Sequence, residues 1–192
     1  MGLRSAVPLS RALCNSGSPL KIAIILGTSR KNGNTHQLVD EYARNYSAHV
    51  FDLSEYDFSG FDYEHKNTND DFLPLIEKLL TYDHLIFATP VYWYTMSAPM
   101  KLFFDRLSDL LTTHKEHGRS LRGKSCSVIS TGTDNYLPEG FEQPFSLTAQ
   151  YLGMQYSGAL YCVCEPNFSA ELYRHKIAEH HAPLFYDDTT LH

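Results

Sequence analysis

Apolar residues fall in two alternating rhythms along this chain. Residues 20–26 (LKIAIIL) are nearly all apolar and are closed by Gly27, which predicts a strand buried on both faces. In residues 34–46 the apolar positions Leu38, Val39, Tyr42 and Tyr46 recur at helical spacing. Asn34 followed by Gln37 is a capping-box pattern that starts this helix near Asn34. A short strand is expected over residues 49–53, then a long polar, acidic and aromatic loop over 54–71. Residues 72–80 predict a helix, with Leu75, Ile76, Leu79 and Leu80 on one side, and residues 84–88 a second buried strand. The clearest helix spans residues 97–111. Ser97 can cap it, Pro99 is tolerated in its first turn, and Met100, Phe103, Phe104, Leu107, Leu110 and Leu111 form one apolar stripe. A polar connection (114–122), a central strand (124–130), a loop (131–140), a helix (141–152), a last strand (154–164) and a closing helix (168–180) complete the pattern.

Strands thus alternate with helices five times, which predicts an α/β fold with a parallel sheet covered on both faces. A length of 192 residues and 43% hydrophobic residues fit one domain with a sizeable core. We place that domain over residues 20–182, with a C-terminal tail at 183–192. Residues 1–19 carry Arg4, Arg11 and several serines but no acid. That is the composition of a targeting segment, and equally of a disordered leader, so they are set apart from the fold. A net charge of −6 argues against nucleic-acid or anionic-membrane partners, and no apolar run approaches a membrane span. Cys14, Cys126, Cys162 and Cys164 form neither a disulfide framework nor a CxxC pair; Cys126 and Cys164 sit in apolar runs as core residues. A cytoplasmic setting is expected. His114 with His117, and His180 with His181, lack a set of partner ligands, so no metal site is expected. Lys101, Asp105 and Arg106 are expected on the outer face of their helix.

In an open α/β sheet, ligands bind beyond the carboxyl ends of the strands where strand order reverses. Three loops of unusual composition follow the first, third and fourth strands. The first, residues 27–35 (GTSRKNGNT), offers hydroxyls from Thr28, Ser29 and Thr35, an amide from Asn34 and a cation from Arg30. It ends at a helix N-terminus, which favours a phosphate. It lacks both GxxxxGK[ST] and GxGxxG, and a solvated strand–helix turn uses the same residues. In the second loop Pro90 and Val91 precede Tyr92, Trp93 and Tyr94, three rings that need cover from a flat ligand, a partner subunit or a neighbouring loop. In the third, Thr131, Gly132 and Thr133 offer backbone N–H groups to the edge of such a ligand, or simply form a turn. A phosphate and a flat ring together suggest a mononucleotide, and FMN fits best.

GTSRKNGNT followed about sixty residues later by residues 89–106 (TPVYWYTMSAPMKLFFDR) resembles the NADPH-dependent FMN reductases and flavodoxin-like quinone reductases. It is especially similar to the flavin domain of the iron–sulfur flavoproteins. The resemblance covers residues 21–164 in order of elements and is strong only in those two motifs. It implies a flavodoxin-like three-layer sandwich with a five-stranded sheet in the order 2-1-3-4-5. It also implies FMN as cofactor, with its phosphate on Thr28, Ser29, Arg30, Asn34 and Thr35. Its ring would lie along Pro90, Val91, Tyr92 and Trp93 and near Thr131, Gly132 and Thr133. NADPH or NADH would be the electron donor, a quinone, flavin, nitro or azo compound the acceptor, and a homodimer or tetramer the assembly. No compact cysteine cluster lies between the first helix and the third strand, so no iron–sulfur cluster is expected. A flavodoxin-type electron carrier with protein partners is the alternative, and a scaffold that has lost its flavin a weaker one.

Overall fold

The computed structural model describes residues 20–67, 69–166 and 168–185; the leader over 1–19 and most of the tail lie outside the described residues. Five strands form one parallel sheet in the order β2-β1-β3-β4-β5. They are β1 (Ile22–Leu26), β2 (His49–Asp52), β3 (His84–Pro90), β4 (Ser125–Gly132) and β5 (Gln155–Val163). β1, β3 and β4 are buried along their whole length; β1 is apolar throughout, while β3 and β4 also bury polar residues such as His84, Ser125 and Ser127. The helices are α1 (Asn34–Tyr46), α2 (Phe72–Leu79), α3 (Ala98–Arg106), α4 (Asp109–Thr112), α5 (Lys115–Ser120), α6 (Gln143–Leu152) and α7 (Arg174–His181).

Successive residues of each strand point to opposite faces, so the sheet carries two cores. Ala23, Ile25, Leu85, Phe87 and Val128 pack with Leu75, Phe103 and Phe145 beneath α2, α3 and α6. Ile22, Ile24, Leu26, Ile86 and Ile129 pack with Leu38, Tyr42 and Ile177 beneath α1 and α7.

Three expectations are corrected. The capping box at Asn34 and Gln37 does not form: Gly33 is the N-cap, and no side chain caps the first turn of α1. The helix expected over 97–111 is broken into α3 and α4, and α5 occupies the expected polar connection. The break is a tightened turn, with Ser108 N–H donating to Asp105 O at 3.2 Å and Leu111 N–H to Ser108 O at 3.1 Å.

The third correction concerns Arg106. It is buried rather than on the outer face, where only the exposed Lys101–Asp105 pair (2.6 Å) remains. Arg106 Nε donates to Asp109 at 2.8 Å, while its terminal nitrogens bond Asp70 and the Ser59 carbonyl. The guanidinium also lies over the Phe72 ring. Burial opposes its charge, but the hydrogen bonds to Asp70 and Asp109 outweigh burial and raise its pKa. The acidic loop after β2 is thus strapped along α3 by one buried arginine.

Candidate functional site

The loops after β1, β3 and β4 meet at the carboxyl ends of their strands around an open cleft of about 690 Å³. That is ample for a mononucleotide. Eleven of the twelve predicted residues line it: Thr28, Arg30, Asn34, Thr35, Pro90, Val91, Tyr92, Trp93, Thr131, Gly132 and Thr133. Ser29 is exposed and is not among the lining residues. Gly33 and Cys164 complete the lining. Cys164 is half-buried one residue beyond β5, at the cleft rather than in the core. The signal was its place at the very end of a strand pattern.

The β1 loop is held by its own backbone and by α3. Gly27 N–H donates to Ala88 O at 2.8 Å, and Ser97 Oγ donates to Gly27 O at 2.6 Å. Gly27 must be glycine, because a Cβ there would lie 2.8 Å from Met100 Cβ and 3.0 Å from its backbone. Ser97 also caps α3, accepting from Met100 N–H at 3.4 Å. Its own N–H donates to Thr89 Oγ1 at 2.9 Å, and Ser130 Oγ donates to Thr89 O at 2.8 Å. Thr35 Oγ1 and Thr131 Oγ1 are 2.7 Å apart and hydrogen-bonded, which joins the first turn of α1 to the end of β4. All three walls of the cleft are therefore cross-linked.

Beyond Val91 the chain forms a tight turn, with Tyr92 N–H donating to Thr95 O (2.9 Å) and Thr95 N–H to Tyr92 O (3.1 Å). Its central residues Trp93 and Tyr94 both adopt left-handed backbone, at φ 49° and 66°. Bulky residues rarely adopt that conformation, whose strain is of order 1–3 kcal/mol each. The turn projects into solvent and leaves Trp93 91% exposed. On the opposite wall Tyr161 Oη donates to Asp134 O at 2.8 Å, and a Cβ at Gly132 would lie 2.6 Å from that hydroxyl. Tyr161 thus fastens the β4 loop, and glycine makes room for it.

The donor set suits a phosphate monoester beside a planar ring. An uncapped helix N-terminus, two threonine hydroxyls, an asparagine amide and a guanidinium stand at one end; aromatic and small residues stand at the other. No carboxylate is among the described residues that line the cleft, so nothing there opposes an anion. Among the described residues no cluster of ligands suits a metal ion, and no helix is long and apolar enough to cross a membrane.

The parallel sheet in the order 2-1-3-4-5, with ligand loops at its switch point, makes this a flavodoxin-like α/β protein. The model of the NADPH-dependent FMN reductase family matches residues 20–164, and the chain belongs to that family of FMN-dependent, NAD(P)H-using oxidoreductases. It is similar to YwqN of Bacillus subtilis (strain 168), whose name describes an NAD(P)H-dependent FMN-containing oxidoreductase. The two are 32% identical over 165 residues, covering 81% of this chain and 90% of the relative. Among solved structures, a Trp repressor binding protein from Bacillus subtilis superposes with a TM-score of 0.68 at 27% identity, covering 88% of this chain and all of the other. General stress protein 14 from Treponema denticola, solved in complex with FMN, shares the fold with a TM-score of 0.62 at 15% identity, over 86% of this chain and 98% of the other.

Proposed function

We propose that the cleft binds FMN and that the protein passes electrons from NAD(P)H through it to a small-molecule acceptor such as a quinone, a free flavin, or a nitro or azo compound. The observation that carries this reading is the meeting of an uncapped helix N-terminus with an exposed aromatic turn in one cleft. The α1 N–H groups, the Thr28 and Thr35 hydroxyls and Arg30 would hold the phosphate. Pro90, Val91, Tyr92 and Trp93 would flank the ring, and the backbone at Thr131, Gly132 and Thr133 would serve its polar edge. Bound FMN supplies the redox chemistry, taking a hydride from the nicotinamide and delivering electrons to the acceptor.

The protein's part is to orient the cofactor, shield one face of the ring and leave the other open. This reading assigns no essential acid–base side chain. A homodimer is proposed as its assembly, since the exposed rings of Tyr92, Trp93 and Tyr94 invite cover.

An anaerobic titration tests the reading. Protein loaded with FMN should bleach rapidly in the visible on addition of NADPH or NADH. Bound flavin that stays oxidised with both donors would favour the electron-carrier alternative. Arg30→Ala and Thr35→Ala should each weaken FMN binding by about tenfold or more, as expected for a lost charged or buried hydrogen bond. Unchanged affinity in both would overturn the phosphate assignment.

A further inference from the structure

Asn32 and Gly33 form the one Asn-Gly step in the chain, and the fold asks for both residues where they stand. Lys31 and Asn32 are the central residues of a tight turn, closed by Gly33 N–H donating to Arg30 O at 3.3 Å. Asn32 holds φ 62°, left-handed backbone that glycine and asparagine tolerate best. Gly33 follows as the N-cap of α1, and a Cβ on it would lie 3.3 Å from Arg30 O. Asn32 is exposed, and its carboxamide makes no hydrogen bond among the described residues.

This pair is chemically unprotected. Once Gly33 N gives its proton to hydroxide, that nitrogen can attack Asn32 Cγ and expel Nδ2 as ammonia. A bond from Gly33 N to Cγ forms, the bond from Cγ to Nδ2 breaks, and a five-membered succinimide remains. Water then opens either carbonyl of the ring, leaving aspartate or isoaspartate, so water is consumed and ammonia released. Glycine places no side chain in the path of the attacking nitrogen. The start of α1, with the exposed cations Arg30 and Lys31 beside it, favours negative charge; it stabilises both the amide anion and the oxyanion that develops on Asn32. The bond that closes the turn is long, and opening it releases Asn32 from left-handed backbone. Other asparagines lack this combination. Asn45 precedes Tyr46 within α1, and its amide donates to Glu41 at 2.8 and 3.0 Å. Asn135 is exposed, but the bulky Tyr136 follows it.

We propose that Asn32 is a site of spontaneous deamidation, and that the carboxylate formed there competes with a bound phosphate for the start of α1. Residues 27–35 contain no acid, and no carboxylate is among the described residues that line the cleft, so the change installs the first negative charge there. The new group sits one residue before the N-cap, where the helix favours an anion, and it stays in that field permanently. Isoaspartate also lengthens the backbone by a methylene and shifts the N–H groups that follow. A phosphate held by the loop restrains the same turn, so bound FMN slows the reaction and FMN-free protein ages faster. Competition and protection rest on the proposed flavin binding; the chemistry at Asn32 does not.

The test is ageing of the full chain at mildly alkaline pH, with and without saturating FMN. Peptide mass spectrometry and isoaspartyl methyltransferase labelling follow it against an unaged sample, and circular dichroism checks each variant for folding. In FMN-free protein Asn32 should convert severalfold faster than Asn45 and Asn135, and FMN should slow it. Asn32→Asp should bind FMN about tenfold more weakly than the wild type, the scale of one like charge added several ångströms from a phosphate. Asn32→Gly keeps a residue suited to left-handed backbone and has no amide to lose, so its FMN affinity should not decline with age. Conversion of Asn32 no faster than that of Asn45 and Asn135 overturns the site. Equal conversion with and without bound FMN overturns the protection, and undiminished affinity in Asn32→Asp overturns the competition. Failure of unaged wild type to bind FMN sinks the flavin reading, and protection and competition with it, while the mass change still decides the site.

Discussion

Acid should destabilise this protein well above the pH at which carboxylates protonate, and His84 is one clear reason. Its side chain is fully buried in β3, with Nδ1 at 2.7 Å from Ser125 Oγ and Nε2 at 2.9 Å from Ser127 Oγ. Two hydroxyls satisfy a neutral imidazole, which donates at one nitrogen and accepts at the other. They carry no negative charge to offset a cation. Burial, with smaller contributions from His180 and His181, pushes the pKa from 6.5 down to about 3. The folded value lies below the unfolded one, so the unfolded chain takes up the proton first. Stability is therefore complete above the unfolded value of 6.5 and is lost as pH falls toward 3. Linkage gives a loss of about 2 kcal/mol from His84 by about pH 5. His180, which burial lowers to about 4, adds a loss of similar order. Urea unfolding near neutral pH and near pH 5 measures the sum. His84→Gln isolates one part, because glutamine keeps a donor and an acceptor for the two serines but does not titrate. The variant starts less stable, yet between the two conditions it should lose about 2 kcal/mol less than the wild type. Equal losses would refute the reasoning.

Other outcomes follow from single contacts. Arg106→Leu strands the Asp70 and Asp109 carboxylates beside an apolar side chain and should lower unfolding free energy by about 3–5 kcal/mol in urea. Gly27→Ala forces β1 away from Met100; it should cost about 1–3 kcal/mol and weaken FMN binding, both read by melting with and without flavin. Tyr161→Phe removes the hydrogen bond to Asp134 O and should weaken FMN binding by a few-fold, with about 0.5–1.5 kcal/mol lost in stability. Trp93→Asn keeps a residue that accepts left-handed backbone while deleting the ring; acceptor KM should change and the melting temperature should not fall.

The sheet was legible because β1, β3 and β4 are buried on both faces, which concentrates apolar residues at their centres even where Ser125, Ser127 and His84 are buried among them. The cleft was legible for a related reason: residues that are poor in a core, such as Asn34, Thr35 and Trp93, cluster at strand ends. Departures arose where one residue has two competing environments. Arg106 reads as a surface cation on its own helix; Asp109 lies only three residues on, but Asp70 comes from a distant loop that no local pattern announces. Asn34 lost the cap to Gly33, whose extended backbone leaves the first turn open on the cleft side. Cys164 reads as core until β5 is seen to end one residue earlier.

The Ser97 hydroxyl touches both Gly27 O and Met100 N–H, and the residue's own N–H reaches Thr89. One side chain thus couples the loop after β1 to the loop after β3. These two walls behave mechanically as a single piece, so neither can swing without drawing the other. Preorganisation of this kind spares a ligand the entropy of assembling its own site. It also limits how the site can be altered. Widening the ring end by shifting residues 90–95 would drag on the turn at Gly27, so adjusting the cleft to a different ring means changing side chains within a fixed frame.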